Sequence, residues 1–152
     1  MSDPKYSSQT PYIASYIFLK KDGKIAFIKR LNTSWMDGYY SLPAGKVEQN
    51  ESYQECALRE SKEEVAVTVA PEDMQHVLSM HRYETDQNNW MDCYFMVEKW
   101  AGEPVNAAPE KSSELAWLDP DNLPENVVEG VRFALQQVTL GNKYCEFGWE
   151  KR

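Results

Sequence analysis

Strands placed before, between and after two helical stretches predict an α/β fold, a mixed β-sheet covered by helices on both faces. Three observations carry this. The chain opens on two β-branched, aromatic runs joined by Asp22-Gly23. A capped stretch free of glycine and proline runs from Ser52 to Val65, and a second helical stretch lies near the end. The 152 residues match the length of one domain. No repeat, low-complexity tract or linker divides them, so residues 1–152 are read as a single domain. Residues 1–10 are expected to be a flexible lead and 141–152 an aromatic tail.

Residues 12–19 (YIASYIFL) and 24–29 (KIAFIK) alternate as strands, and Asp-Gly between them is a strong short hairpin signal. Residues 31–50 hold Gly38, Pro43 and Gly45 with few apolar positions, which reads as a long loop, and loops of that length are usually functional. Ser52 and Glu55 then form an S-x-x-E capping box at the head of the first helix, which Pro71 closes off. Two strands follow, 75–83 and 90–100, around the polar run 84–89. Residues 115–118 (LAWL) make a short buried strand. Pro124 leads into a second helix over 126–140, with Val127, Val128, Val131, Leu135 and Val138 at near-helical spacing and Gly141 ending it. The run 144–149 (YCEFGW) is too apolar for an idle tail. Its Phe147-Gly148-Trp149 segment is expected to pack as a staple in preference to closing over a ligand.

Composition excludes several classes. Asp and Glu number 24 against 16 Lys and Arg, for a net charge of −8. Such a chain is a poor ligand for long nucleic acids or anionic membranes, which are bound by basic side chains. The first residues carry no apolar signal segment, and no apolar run reaches the ~18 residues of a membrane span. Three widely spaced cysteines (Cys56, Cys93, Cys145) fit neither a disulfide framework nor a zinc motif. Reduced thiols and a cytoplasmic location are expected.

The acid is concentrated between residues 51 and 64, where five glutamates face Arg59 and Lys62. At ~100° per residue, Glu60, Glu63 and Glu64 fall within about 100° of arc on one helix face. Like charges at these spacings each cost a few tenths of a kcal/mol. A cation is expected among them, and clustered carboxylates suit Mg²⁺ or Mn²⁺. On spacing alone, a solvated acidic face is the alternative.

The full stretch reads Leu42-Pro43-Ala44-Gly45, then Gly45-x5-Glu51-x7-Arg59-Glu60-x2-Glu63-Glu64. It resembles the Nudix box, the signature of the Nudix (MutT-like) hydrolases, and six fixed positions predict a chance match only on the order of 10⁻⁵. The resemblance implies an α/β/α sandwich that cleaves a nucleoside diphosphate linked to another moiety. It implies that Glu60, Glu63, Glu64 and the carbonyl of Ala44 hold the metal, with Glu51 and Arg59 orienting the ligand carboxylates. Glu64 is one candidate base. Glu114 is another, placed where several Nudix enzymes carry a late glutamate, and is otherwise a surface charge. Two positions depart from the family pattern. Ser61 stands where an apolar residue is usual. Ala66 replaces a glycine, at about 1 kcal/mol if the backbone there is left-handed.

Specificity lies outside the box. Lys29 and Arg30 are candidates for a terminal phosphate. Trp35, Met36, Tyr39 and Tyr40 are candidates for stacking on a base. Asn126 is a candidate reader of base edges, or else the N-cap of the last helix. Position 82, sixteen after Ala66, is arginine and not the proline associated with ADP-ribose hydrolases, while Tyr83 weakly resembles a dinucleoside-polyphosphate mark. A nucleoside triphosphate, canonical or oxidised, cleaved to monophosphate and pyrophosphate is therefore the expected substrate. A sugar nucleotide, a dinucleoside polyphosphate and a non-hydrolytic nucleotide sensor are the alternatives. A small nucleotide is the expected partner, with a homodimer also considered.

Overall fold

The computed structural model describes residues 10–84 and 88–152. The expected flexible lead up to Gln9, and Thr85 to Gln87 of the polar run, lie outside them. Strands β1 (Tyr12–Lys21) and β2 (Lys24–Arg30) form the expected antiparallel hairpin, pairing Lys21 with Lys24. Asp22 and Gly23 both take positive φ, 53° and 76°, which gives the tight turn its hand. β1 runs parallel to β6 (Asn89–Val97), from Tyr12↔Trp90 to Leu19↔Val97. β5 (Met74–Tyr83) lies antiparallel to β6 on its far side.

The expected loop 31–50 contains two short strands, β3 (Tyr40–Ser41) on β2 and β4 (Ala44–Lys46) on β1. At two and three residues they are too short to show periodicity in sequence. β7 (Ser112–Leu118) pairs with β2 and starts three residues earlier than LAWL suggests. The tail forms β8 (Tyr144–Phe147), parallel to β5, so the sheet order is β3-β2-β1-β6-β5-β8, with β4 also on β1 and β7 on β2.

Helices α1 (Tyr53–Val65) and α2 (Glu129–Thr139) cover opposite faces. Alternation along β1 sends Ile17 and Leu19 to one core with Ala57 and Val65 of α1, and Phe18 to the other with Val131, Ala134 and Leu135 of α2. Each such fully buried aliphatic or aromatic side chain contributes about 1.5–3 kcal/mol relative to exposure. Among the described residues, no helix is long and apolar enough to cross a membrane.

Four local features bear on the sequence reading. The capping box is complete: Ser52 Oγ accepts from Glu55 N–H and the Glu55 carboxylate accepts from Ser52 N–H. α2, however, begins three residues late, with no side-chain cap. Residues 126–128 stay extended because they pair with β3: Tyr40 N–H donates to Asn126 O (2.7 Å) and Val128 N–H to Tyr40 O (3.0 Å). Asn126 is thus not an N-cap; its side-chain amide donates to Gly38 O at 3.0 Å. At the other end of α1, Ala66 is left-handed (φ 61°, ψ 30°). Ser61 is fully buried, and its hydroxyl is satisfied by Ala57 O at 2.8 Å.

Candidate active site

The site is built where α1 crosses β4. Arg59, on α1, donates from Nε and Nη2 to both oxygens of Glu51 (2.7 and 3.0 Å), and from Nη1 to Glu60 (2.7 Å) and Glu63 (3.2 Å). Glu48 lies 3.8 Å away. Glu51 also accepts from Glu48 N–H at 2.9 Å. These contacts, the Arg59 hydrogen bonds first, pull the Glu51 carboxyl down from 4.5 to about 2.

Glu60 is buried beneath the strand and packs directly on Gly45, where any side chain would collide with its carboxylate. One turn on, Glu64 has its carboxyl pushed well above the ordinary range. Burial is the largest cause and the neighbouring Glu60 carboxylate the next, opposed by the Ala44 N–H and by Lys111. The proximity of the Glu60 carboxylate and the loss of water around Glu64 both disfavour its charged form.

Glu63 is different. Its side chain is 57% exposed and turned to Arg59, and it does not line the cleft that Glu60 and Glu64 share. Among the described residues, no group of three His, Cys, Asp or Glu side chains is gathered closely enough to hold a metal ion as it stands. The structure therefore joins Glu60 and Glu64, with the Ala44 N–H rather than its expected carbonyl as the contact to Glu64, and leaves Glu63 outside. The reason is Arg59, which takes up the Glu63 charge at i,i+4 spacing. Two neighbouring carboxylates, Glu60 buried and Glu64 half-buried, are hard oxygen donors whose mutual repulsion a divalent cation would relieve.

Around this pair the cleft is lined by Arg30, Thr33, Trp35, Ser41 and Lys111. It continues into a cavity of about 420 Å³ lined by Arg82 and Trp90, with Tyr16, Arg30, Trp35 and Lys46 shared by both. The Arg30 guanidinium lies 4.8 Å from the Trp35 ring centroid and donates from Nε to Trp35 O at 2.8 Å, which fixes the loop over the cleft. Arg30 and Trp35 are thus brought to the site, Trp35 with 41% of its surface exposed.

Lys29, Tyr40 and Glu114 are not. Lys29 and Glu114 are cross-strand partners on the α2 side of the sheet, 3.7 Å apart, and the Tyr40 hydroxyl donates to Glu114 at 2.9 Å. Strand alternation separates Lys29 and Glu114 from the carboxyl pair, because they share a face with Phe27 and Leu118, whereas Glu60 and Glu64 sit on the α1 side. Asn126 likewise secures the loop at Gly38. Sequence reasoning missed Lys46, Lys111, Arg82, Trp90 and Tyr16. The signal for Lys46 was its place beside Gly45; the others come from strands and a loop distant in sequence, whose pairing no local pattern discloses.

A mixed sheet between two helices, with a glycine-backed carboxylate cleft on the α1 side, defines an α/β/α sandwich with an acidic site. A family model described as the NUDIX domain matches residues 10–137, and the chain belongs to the Nudix hydrolase family. It is 28% identical over 116 residues to an 8-oxo-dGTP diphosphatase of Escherichia coli, covering 74% of this chain and 86% of that protein. It is 24% identical over 131 residues to an RNA pyrophosphohydrolase of Erythrobacter litoralis, covering 76% and 79%. Among solved structures, a MutT NUDIX hydrolase from Burkholderia pseudomallei superposes with a TM-score of 0.78 at 25% identity, covering 86% of this chain and 99% of that one.

Proposed function

We propose that this chain is a divalent-cation-dependent pyrophosphohydrolase that cleaves a nucleoside triphosphate to the monophosphate and pyrophosphate. The observation that carries the reading is the Glu60–Glu64 carboxyl pair, the first buried and the second half-buried, beside Ala44 in a cleft lined by Arg30, Lys46 and Lys111. Glu60, Glu64 and the Ala44 carbonyl would hold Mg²⁺ or Mn²⁺, which would supply charge compensation for phosphate oxygens and a more acidic bound water.

This chain's own residues supply the rest. Arg30, Lys46 and Lys111 compensate phosphate charge along the cleft. Arg59 holds Glu60 in place and is itself aimed by Glu51. Glu64, once ionised, accepts the proton of the attacking water. Glu114 is assigned to anchoring Tyr40 and Lys29 on the other face, and not to proton transfer. Trp35 stacks on the base.

The test is pyrophosphate release over a panel of nucleoside triphosphates, with and without Mg²⁺. Turnover that needs the metal, falls roughly 10²–10⁴-fold in Glu64→Gln, and persists in Glu114→Gln supports the reading. Nucleotides that raise the melting temperature without turning over would instead make this a binding module. Turnover of sugar nucleotides or dinucleoside polyphosphates alone would move the substrate assignment.

A further inference from the structure

The inner end of the cleft carries an arrangement that phosphate chemistry does not use. Arg82 of β5 is buried, with 9% of its side chain exposed. It donates from Nε and Nη2 to the two oxygens of Asp92 (2.7 and 3.3 Å), which is fully buried, and from Nη1 to Glu84. Its guanidinium lies 4.9 Å from the Trp90 ring centroid. One guanidinium thus faces two carboxylates, which leaves the group with excess negative charge, and Glu84 is its accessible member, 27% exposed in a cavity it shares with Trp35 and Trp90.

The cavity is therefore polarised. Arg30 and Lys46 stand toward the Glu60–Glu64 end, since they line both parts of the cleft, while Arg82, Glu84 and Trp90 belong to the inner part. A polyphosphate is attracted to the first group and repelled by Glu84. What enters beside Glu84 is the uncharged, planar end of the ligand, against indole and guanidinium faces.

We propose that Glu84 is a specificity-determining residue that reads a base presenting two adjacent N–H donors, the N1–H and 2-amino group of a 2-amino-6-oxopurine. An ionised carboxylate accepts only, and two parallel N–H donors satisfy it in a charge-assisted pair. Adenine sets a ring acceptor where the carboxylate needs a donor, and that unpaired contact rejects it. The 6-oxo group of the favoured base lies on the same edge, where the guanidinium of Arg82 is the nearby donor. The proposal rests on the nucleotide reading of the cleft, but base selection is separable from hydrolysis.

The test is binding of GMP, IMP and AMP to the full chain without metal, followed by tryptophan fluorescence, in wild type and Glu84→Gln. GMP is expected to bind at least about tenfold tighter than AMP. IMP, which keeps N1–H and lacks the 2-amino group, is expected between them, and the order is expected to collapse to within about threefold in Glu84→Gln. Equal binding of GMP and AMP to the wild type, or an unchanged preference in the variant, overturns the proposal. The wild-type series GMP, IMP, AMP decides the matter even if the variant does not fold. A GMP preference without triphosphate turnover would leave the base reader standing and remove the hydrolytic function; turnover without any preference would do the reverse.

Discussion

Gly45 and Glu60 pack face to face because position 45 carries no side chain. A Cβ on Gly45 would overlap the Glu60 carboxylate, so the absence of a side chain on β4 is what lets α1 bring an acid to the cleft. Gly45 is not among the positive-φ glycines, so alanine carries no backbone strain there and the whole penalty falls on Glu60. Gly45→Ala is expected to lower kcat/KM by roughly 10²-fold through misplacement of that carboxylate. Kinetics alongside a thermal melt check this; activity within twofold of wild type would remove Glu60 from the site.

The Glu51–Arg59 pair gives a pH signature. The folded Glu51 carboxyl is depressed from 4.5 to about 2, chiefly by Arg59. Its stabilisation is therefore complete above the unfolded value and is lost as pH falls from about 4.5 toward 2. Chemical denaturation at a series of pH values should show wild type losing stability across that window and Glu51→Gln losing less. Parallel curves would show the ion pair to be energetically silent.

Ala66 offers a stabilising change. Its left-handed backbone at φ 61° strains any residue with a Cβ, and its N–H already caps α1 on Lys62 O. Ala66→Gly is expected to raise stability by up to about 1 kcal/mol, since glycine adopts this conformation without penalty. Urea unfolding reads it directly, and a loss of stability would mean that unfolded-state entropy dominates.

The tail separates two roles by measurement. Trp149 lies 4.5 Å from the His81 ring and 5.2 Å from Tyr83, and its indole N–H donates to His81 O at 2.9 Å. With β8 paired to β5, this is a staple on the sheet. Trp149→Ala is expected to cost about 2 kcal/mol and leave KM within about threefold. A change in KM with unaltered stability would identify a lid.

Elements that satisfy themselves locally were legible in the chain. The β1–β2 hairpin needs only its turn residues, and α1 carries its cap and periodicity within itself. The acidic face was legible too, but the partition of its charges was not. Spacing puts Glu63 beside Glu60 and Glu64, whereas Arg59 draws it away. The same limit applied to 126–128, whose valines suit helix spacing but are held extended by β3, and to Glu114, whose facing depends on which strand β7 joins. Where a partner lies far away in sequence, periodicity carries no information about it.

Arg59 engages Glu48, Glu51, Glu60 and Glu63 together. Seen as a network, the cluster has one hub and four leaves, so its tolerance of change is uneven. Loss of a leaf such as Glu48 frees one contact and leaves the hub otherwise held. Loss of the hub strands four like charges, Glu60 and Glu63 within one turn of α1 and Glu48 and Glu51 in the loop before it. Under random substitution, position 59 is the single point of failure of the cluster, and it is the one member that carries no acid.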